Sequence, residues 1–251
     1  MGREIKPAEA LAEHLEFLRD SGVQEQWGAR SFAWDKGEDA NNKIVIPAEA
    51  GIQSFPEILK DKAQTEMPYP DLPSLREYIG ECSRCKLHKG RTHLVFGVGN
   101  PKAKLVFVGE GPGRDEDLQG EPFVGRAGQL LTDIIEKGMK LKRSDVYIAN
   151  VVKCRPPENR NPEEDEIAAC EGFLMAQLDI IKPKLICALG KFAAQTLLKT
   201  TTPISALRGN IYEYHGIKLM PTYHPAYLLR NPKEKAVVWQ DIQKLMALYN
   251  E

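Results

Sequence analysis

Three continuous apolar runs limit what this chain can fold into: Lys104-Leu-Val-Phe-Val-Gly109, Asp145-Val-Tyr-Ile-Ala-Asn150 and Lys184-Leu-Ile-Cys-Ala-Leu-Gly190. Each is of strand length, and none shows the alternation of a strand with one wet face. Helical segments separate them, over residues 127–138 and 162–181. The second opens with Pro162 and carries acidic residues in its first turn, which suits the helix dipole. A further helix follows the third run to about Lys199, residues 211–214 and 217–220 read as a hairpin around His215-Gly216, and a last helix spans 233–249. Strands alternating with helices predict an α/β fold with a largely parallel sheet covered on both faces. Ligands then belong at the carboxyl ends of the strands.

The N-terminal part differs. Ala8, Leu11, Leu15 and Leu18 recur at three- and four-residue steps, predicting one amphipathic helix over 7–20 that Ser21-Gly22 ends. Residues 23–73 hold no period and read as a poorly ordered tether, with Trp27, Phe32 and Trp34 expected to cover local apolar surface. Residues 1–73 are therefore taken as an extension and 74–251 as the working domain. No partner for the extension can be read from it. A short helix over 75–79 leads into the first cysteines.

Charge excludes little. With Lys+Arg 34 against Asp+Glu 35 there is no global basicity, though a basic face can hide in a neutral total. No apolar run approaches the ~18 residues of a membrane helix, and the first residues lack a signal-peptide core, so no membrane partner and a cytoplasmic protein are expected. In that reducing compartment five cysteines do not suggest a disulfide framework. Cys82-Ser-Arg-Cys85 with Cys154 and Cys170 can instead complete a four-thiolate site, and spacing leaves zinc and a [4Fe-4S] cluster equally open. Cys187, mid-strand among apolar residues, reads as packing.

Gly109-Glu-Gly-Pro-Gly113 fails the dinucleotide fingerprint, since Pro112 interrupts it and position 114 is Arg. The longer stretch Gly109-Glu-Gly-Pro-Gly-Arg-Asp-Glu-Asp-Leu-Gln-Gly-Glu-Pro-Phe-Val-Gly-Arg-Ala-Gly128 resembles the first motif of the iron–sulfur, family 4 uracil-DNA glycosylases. Asn150-Val-Val-Lys-Cys-Arg-Pro-Pro157 and His224-Pro-Ala-Tyr-Leu-Leu-Arg230 are similar to the second and third. The resemblance covers about residues 75–249. It implies a three-layer α/β/α fold with a four-stranded parallel sheet, and a structural [4Fe-4S] cluster on Cys82, Cys85, Cys154 and Cys170. It also implies hydrolysis of the N-glycosidic bond of deoxyuridine in single- or double-stranded DNA by a monomer.

Such a reaction needs the nucleotide flipped out of the stack. Phe123 is then the stacking platform, and Asn150 the amide that reads N3–H and O4. A neutral His224 donates to O2 as charge grows there. Better-known uracil glycosylases carry Asp where this chain has Gly111. Glu110 and Glu116 are the remaining carboxylates: Glu110 is taken as the one for the sugar cation and the water, with Glu116 instead walling off the C5 side and Asn159 supporting the site. Arg155, Leu228, Leu229 and Arg230 are expected to meet DNA, the leucines as wedges behind the flipped base. Basic residues around the cysteines (Arg84, Lys86, His88, Lys89, Arg91, Lys153, Arg160) are expected to add a local cationic surface. Two alternatives remain in the same superfamily: a non-catalytic cluster module that binds DNA, and covalent capture of uracil-DNA through a histidine in an inserted basic loop. The second lacks its residue, because Arg155-Pro-Pro-Glu-Asn-Arg-Asn-Pro162 contains no histidine.

Overall fold

The computed structural model describes residues 69–251; the amphipathic helix expected over 7–20, and the tether as far as residue 68, lie outside the described residues. Helix α1 (Leu72–Ile79) starts three residues earlier than its periodicity indicated, because Asp71 caps it by accepting from the Ser74 amide at 2.8 Å. Its Leu72, Leu75 and Ile79 are buried.

Six strands follow: β1 (Val98–Gly99), β2 (Leu105–Gly109), β3 (Tyr147–Asn150), β4 (Leu185–Leu189), β5 (Tyr212–Tyr214) and β6 (Ile217–Thr222). They form one sheet in the order β1-β3-β2-β4-β6-β5. The four central strands are parallel, as expected, but the sheet has six strands rather than four. β1 and β5 are short antiparallel additions at the two edges. β5 and β6 make the expected hairpin, with His215 (φ 48°) and Gly216 (φ 80°) supplying the two positive-φ residues that its tight turn requires.

Alternation along the buried strands sends side chains into two separate cores. Val106, Val108, Tyr147, Ala149, Ile186 and Ala188 pack on one face against Leu174, Leu178 and Ile181 of one helix, and against Ala193, Ala194 and Leu197 of another. Those helices are Glu164–Ile181 and Lys191–Leu198. Leu105, Phe107, Ile148, Leu185, Cys187 and Met220 pack on the opposite face. Their partners come from helices Arg126–Asp133, Pro225–Arg230 and Lys235–Asn250. In chain order the helices are α2 (Arg114–Gln119), α3 (Arg126–Asp133), α4 (Glu164–Ile181), α5 (Lys191–Leu198), α6 (Ile204–Leu207), α7 (Pro225–Arg230) and α8 (Lys235–Asn250). The result is the three-layer α/β/α arrangement. Cys187 is fully buried in the second core, as its strand context indicated.

Register fixes where a ligand meets the sheet. Gly109 pairs with Asn150, and Leu189 with Thr222, so the carboxyl ends of all four parallel strands lie along one edge. No described helix is long and apolar enough to cross a membrane.

Candidate active site

Three residues from the three motifs meet at that edge. Gly109 ends β2 without a side chain, and the space is needed: a Cβ there would stand 2.4 Å from Asn150 Oδ1 and 2.7 Å from the Phe123 ring. Asn150 is only 2% exposed, and its Oδ1 is buried with no hydrogen-bond partner. Such an orphaned acceptor costs about 1–3 kcal/mol, so an N–H donor is missing from this spot. Phe123, 6% exposed, adopts φ 55°, a left-handed conformation that side chains other than glycine rarely take. Its ring centroid lies 5.5 Å from that of His224.

His224 caps α7, and its Nδ1 accepts from the Ala226 amide at 3.1 Å. That bond leaves the ring proton on Nε2. Burial, with Arg230 nearby, lowers the imidazole pKa to about 4, so the ring is neutral at physiological pH. Gly190 lies outside all three motifs. It closes β4 at φ 90°, and a Cβ there would stand 2.8 Å from His224 Cβ. A glycine at the carboxyl end of a buried strand was the available signal.

Glu110 follows Gly109, and burial pushes its carboxyl up to about 7. Its backbone carbonyl accepts from the Val152 amide at 3.1 Å, extending the β2–β3 pairing past Asn150. A Cβ at Gly111 would meet Val152 Cγ2 at 2.7 Å, so an Asp at that position would displace the valine. The Glu116 carboxylate accepts from the Val124 and Gly125 amides at 3.1 and 3.0 Å, which holds the loop carrying Phe123.

The remaining expected residues are less concentrated. Asn159 is exposed in the turn Pro157–Asn159 and accepts from Arg155 Nε at 2.8 Å, so these two pair with each other. Leu228 is 1% exposed and packs in the second core, and a side chain so covered is not available to enter a base stack. Leu229 is 37% exposed, and Arg230 beside it is exposed. Of the basic residues expected to give a cationic surface around the cysteines, Arg84, Lys86 and Lys89 are exposed, while others are paired or covered. Lys86 pairs with Glu163, Arg160 with Glu166, and Lys153 is fully buried.

Cys82, Cys85, Cys154 and Cys170 line one cavity, together with Arg84, Arg91 and Phe173. All are free thiols. Three N–H groups face their sulfurs: Arg91 Nη1 lies 3.3 Å from Cys154 Sγ, Arg84 Nη1 3.4 Å from Cys82 Sγ, and the Lys153 amide 3.3 Å from Cys170 Sγ. Donors aimed at sulfur suit thiolates that carry charge to a cluster, so this donor set fits four-cysteine iron–sulfur ligation. Among the described residues no three His, Cys, Asp or Glu are grouped as a single metal ion would require.

Comparison with known proteins shows the family. The family model of the uracil DNA glycosylase superfamily matches residues 96–243. A type-4 uracil-DNA glycosylase of Archaeoglobus fulgidus is 47% identical over 175 residues, covering 66% of this chain and 87% of that protein. One from Thermotoga maritima is 48% identical over 172 residues, 67% of this chain and 89% of that protein. A type-5 uracil-DNA glycosylase of Pyrobaculum aerophilum is 29% identical over 146 residues, 52% of this chain and 64% of that protein. All three motifs fall inside the residues that the family model matches, and the chain belongs to the type-4 uracil-DNA glycosylases of the uracil DNA glycosylase superfamily.

Proposed function

We propose that this protein excises uracil from DNA, releasing the free base and leaving an abasic site for repair in the cytoplasm. The observation that carries the reading is the buried, unpartnered Oδ1 of Asn150 beside the Phe123 ring. Uracil N3–H is the donor that Oδ1 lacks, and the amide NH2 donates to O4. Cytosine presents an acceptor at N3 and a donor at N4, so it mismatches the same amide. A flipped deoxyuridine stacks on Phe123, with its O2 toward His224.

Breaking the C1′–N1 bond leaves negative charge on the uracil and positive charge on the sugar. The neutral His224 donates from Nε2 to O2 and stabilises the leaving anion without giving up its proton. Glu110, when ionised, faces the oxocarbenium character of the sugar and orients the incoming water. Water adds to C1′, its proton is lost to solvent, and uracil leaves with the bond's electron pair. Glu116 acts through the loop it holds. Leu229, Arg155 and Arg230 meet the DNA strand.

Cys82, Cys85, Cys154 and Cys170 would hold a [4Fe-4S] cluster. When bound, it would cross-link the C-x-x-C loop, the segment after β3 and α4, and so keep Asn150 in register. No chemical step passes through it.

The test uses single- and double-stranded oligonucleotides with one deoxyuridine, followed by alkali. Strand breaks at uracil are expected. A complex that survives denaturation would mean covalent capture, and intact strands would mean a binding module.

A further inference from the structure

We propose that Arg143 is a positioning residue that sets the Phe123 ring against Asn150; the inference rests on Phe123 being the base platform. Arg143 lies outside every motif, in the turn Arg143–Asp145 that leads into β3. Its guanidinium reaches back to the platform loop, where Nη2 donates to the Pro122 carbonyl at 2.8 Å and the Phe123 carbonyl at 3.0 Å. Nη1 donates to Thr132 Oγ1 at 3.0 Å, and Thr132 in turn donates to the Gly128 carbonyl at 3.1 Å. Gly128 is the seat of the Phe123 peptide: a Cβ there would stand 1.9 Å from Phe123 C and O.

These contacts form a closed set around a strained residue. Phe123 has φ 55°, a conformation that persists only when its surroundings enforce it. Glu116 holds the two following amides from one side. Arg143 holds the two carbonyls from the other, and it is anchored at the start of the strand that ends in Asn150. The platform is thereby referenced to the base-reading amide rather than to its own loop. A planar fork spans Thr132 and both carbonyls at once; a lysine ammonium, a point donor, does not. Without the fork, Phe123 can relax toward ordinary φ and carry its ring off Gly109.

The experiment is a double-mutant cycle on the cluster-loaded full-length protein, with single-turnover excision from an oligonucleotide holding one deoxyuridine. Arg143→Met should lower the rate constant about 10- to 100-fold, as misplaced reacting groups do, with Arg143→Lys intermediate. Visible absorbance should match the parent protein, and the thermal midpoint should fall by only the few degrees that the lost hydrogen bonds imply. In a Phe123→Ala background, Arg143→Met should change the rate less than about twofold, because its effect passes through the ring. Additive losses, or an Arg143→Met protein as fast as the parent while Phe123→Ala is slow, would overturn the inference. A Phe123→Ala protein as fast as the parent would instead overturn the platform reading. If Arg143→Met does not fold, the same cycle with Arg143→Lys decides.

Discussion

Asn150 and Lys153 are three residues apart at the end of β3, yet their surroundings are opposites. Around Asn150 polar needs are left open: an orphaned Oδ1, a carboxyl at Glu110 raised to about 7, and an imidazole at His224 lowered to about 4. Around Lys153 they are met. Its ammonium is fully buried but donates to the Asn150 carbonyl at 2.8 Å and Gln177 Oε1 at 2.6 Å, and Gln177 donates onward to the Phe96 carbonyl and Tyr147 hydroxyl. Arg91 closes the far side, from the Cys82 carbonyl to Cys154 Sγ. Satisfied networks rigidify, whereas unsatisfied groups wait for a ligand. One short segment thus joins a framework to a reaction site.

The largest effects should come from breaking the framework. Serine at Cys154 or Cys170 should abolish visible absorbance of anaerobically purified protein and sharply reduce soluble yield, since it removes a ligand and leaves a hydroxyl in a buried cavity. Cys187→Ala should keep the absorbance, because that thiol faces the opposite core. A colourless Cys154→Ser protein with full activity would erase the distinction between the two regions.

Next come changes on the open side, which should spare the framework. His224→Ala should lower turnover about 100- to 1,000-fold, as loss of one donor to a developing anion does. DNA affinity should change much less, because the bond strengthens only in the transition state. Equal losses in gel-shift affinity and single-turnover rate would make His224 a structural cap. Asn150→Asp should cost less. A carboxylate cannot donate to O4, so uracil excision should fall by the factor of roughly 5–150 that a 1–3 kcal/mol polar mismatch implies. Slow cytosine excision should appear, measured on matched oligonucleotides. Wild-type uracil activity in this variant would show that Asn150 does not read the base.

Much of the framework was legible in the sequence, because buried parallel strands read as continuous apolar runs, and the four cysteines picked out by spacing do line one cavity. β1 was not legible: two residues, Val98 and Gly99, carry no periodicity. Nor was α2, whose Arg-Asp-Glu-Asp opening has no apolar stripe and looked like part of the glycine turn. In the site, motif residues were named but their partners were not. Nothing in the sequence tells that Glu116 holds Val124 and Gly125, that Arg84 and Arg91 donate to sulfur, or that Leu228 and not Leu229 is covered. These depend on how loops fold back on themselves and on which face meets the core, and neither is encoded by local periodicity.

The smallest and most diagnostic effect should be a pH profile. Burial holds Glu110 at about 7, so at pH 6 it is mostly protonated and at pH 8 mostly ionised. Only the carboxylate form stabilises a sugar cation. The excision rate at limiting DNA should therefore rise about tenfold from pH 6 to pH 8, with its inflexion near 7, and stay level above. His224, lowered to about 4, is neutral across that whole window and cannot supply the rise. Lowering pH through 7 protonates Glu110 and should reduce the rate, while His224 would gain a proton only far below. Glu110→Gln should flatten the profile and lie below the parent throughout, by least at pH 6 and by more than about tenfold at pH 8. Retention of the inflexion in Glu110→Gln would assign it to another group and leave the glycine turn's backbone as the main stabiliser of the sugar.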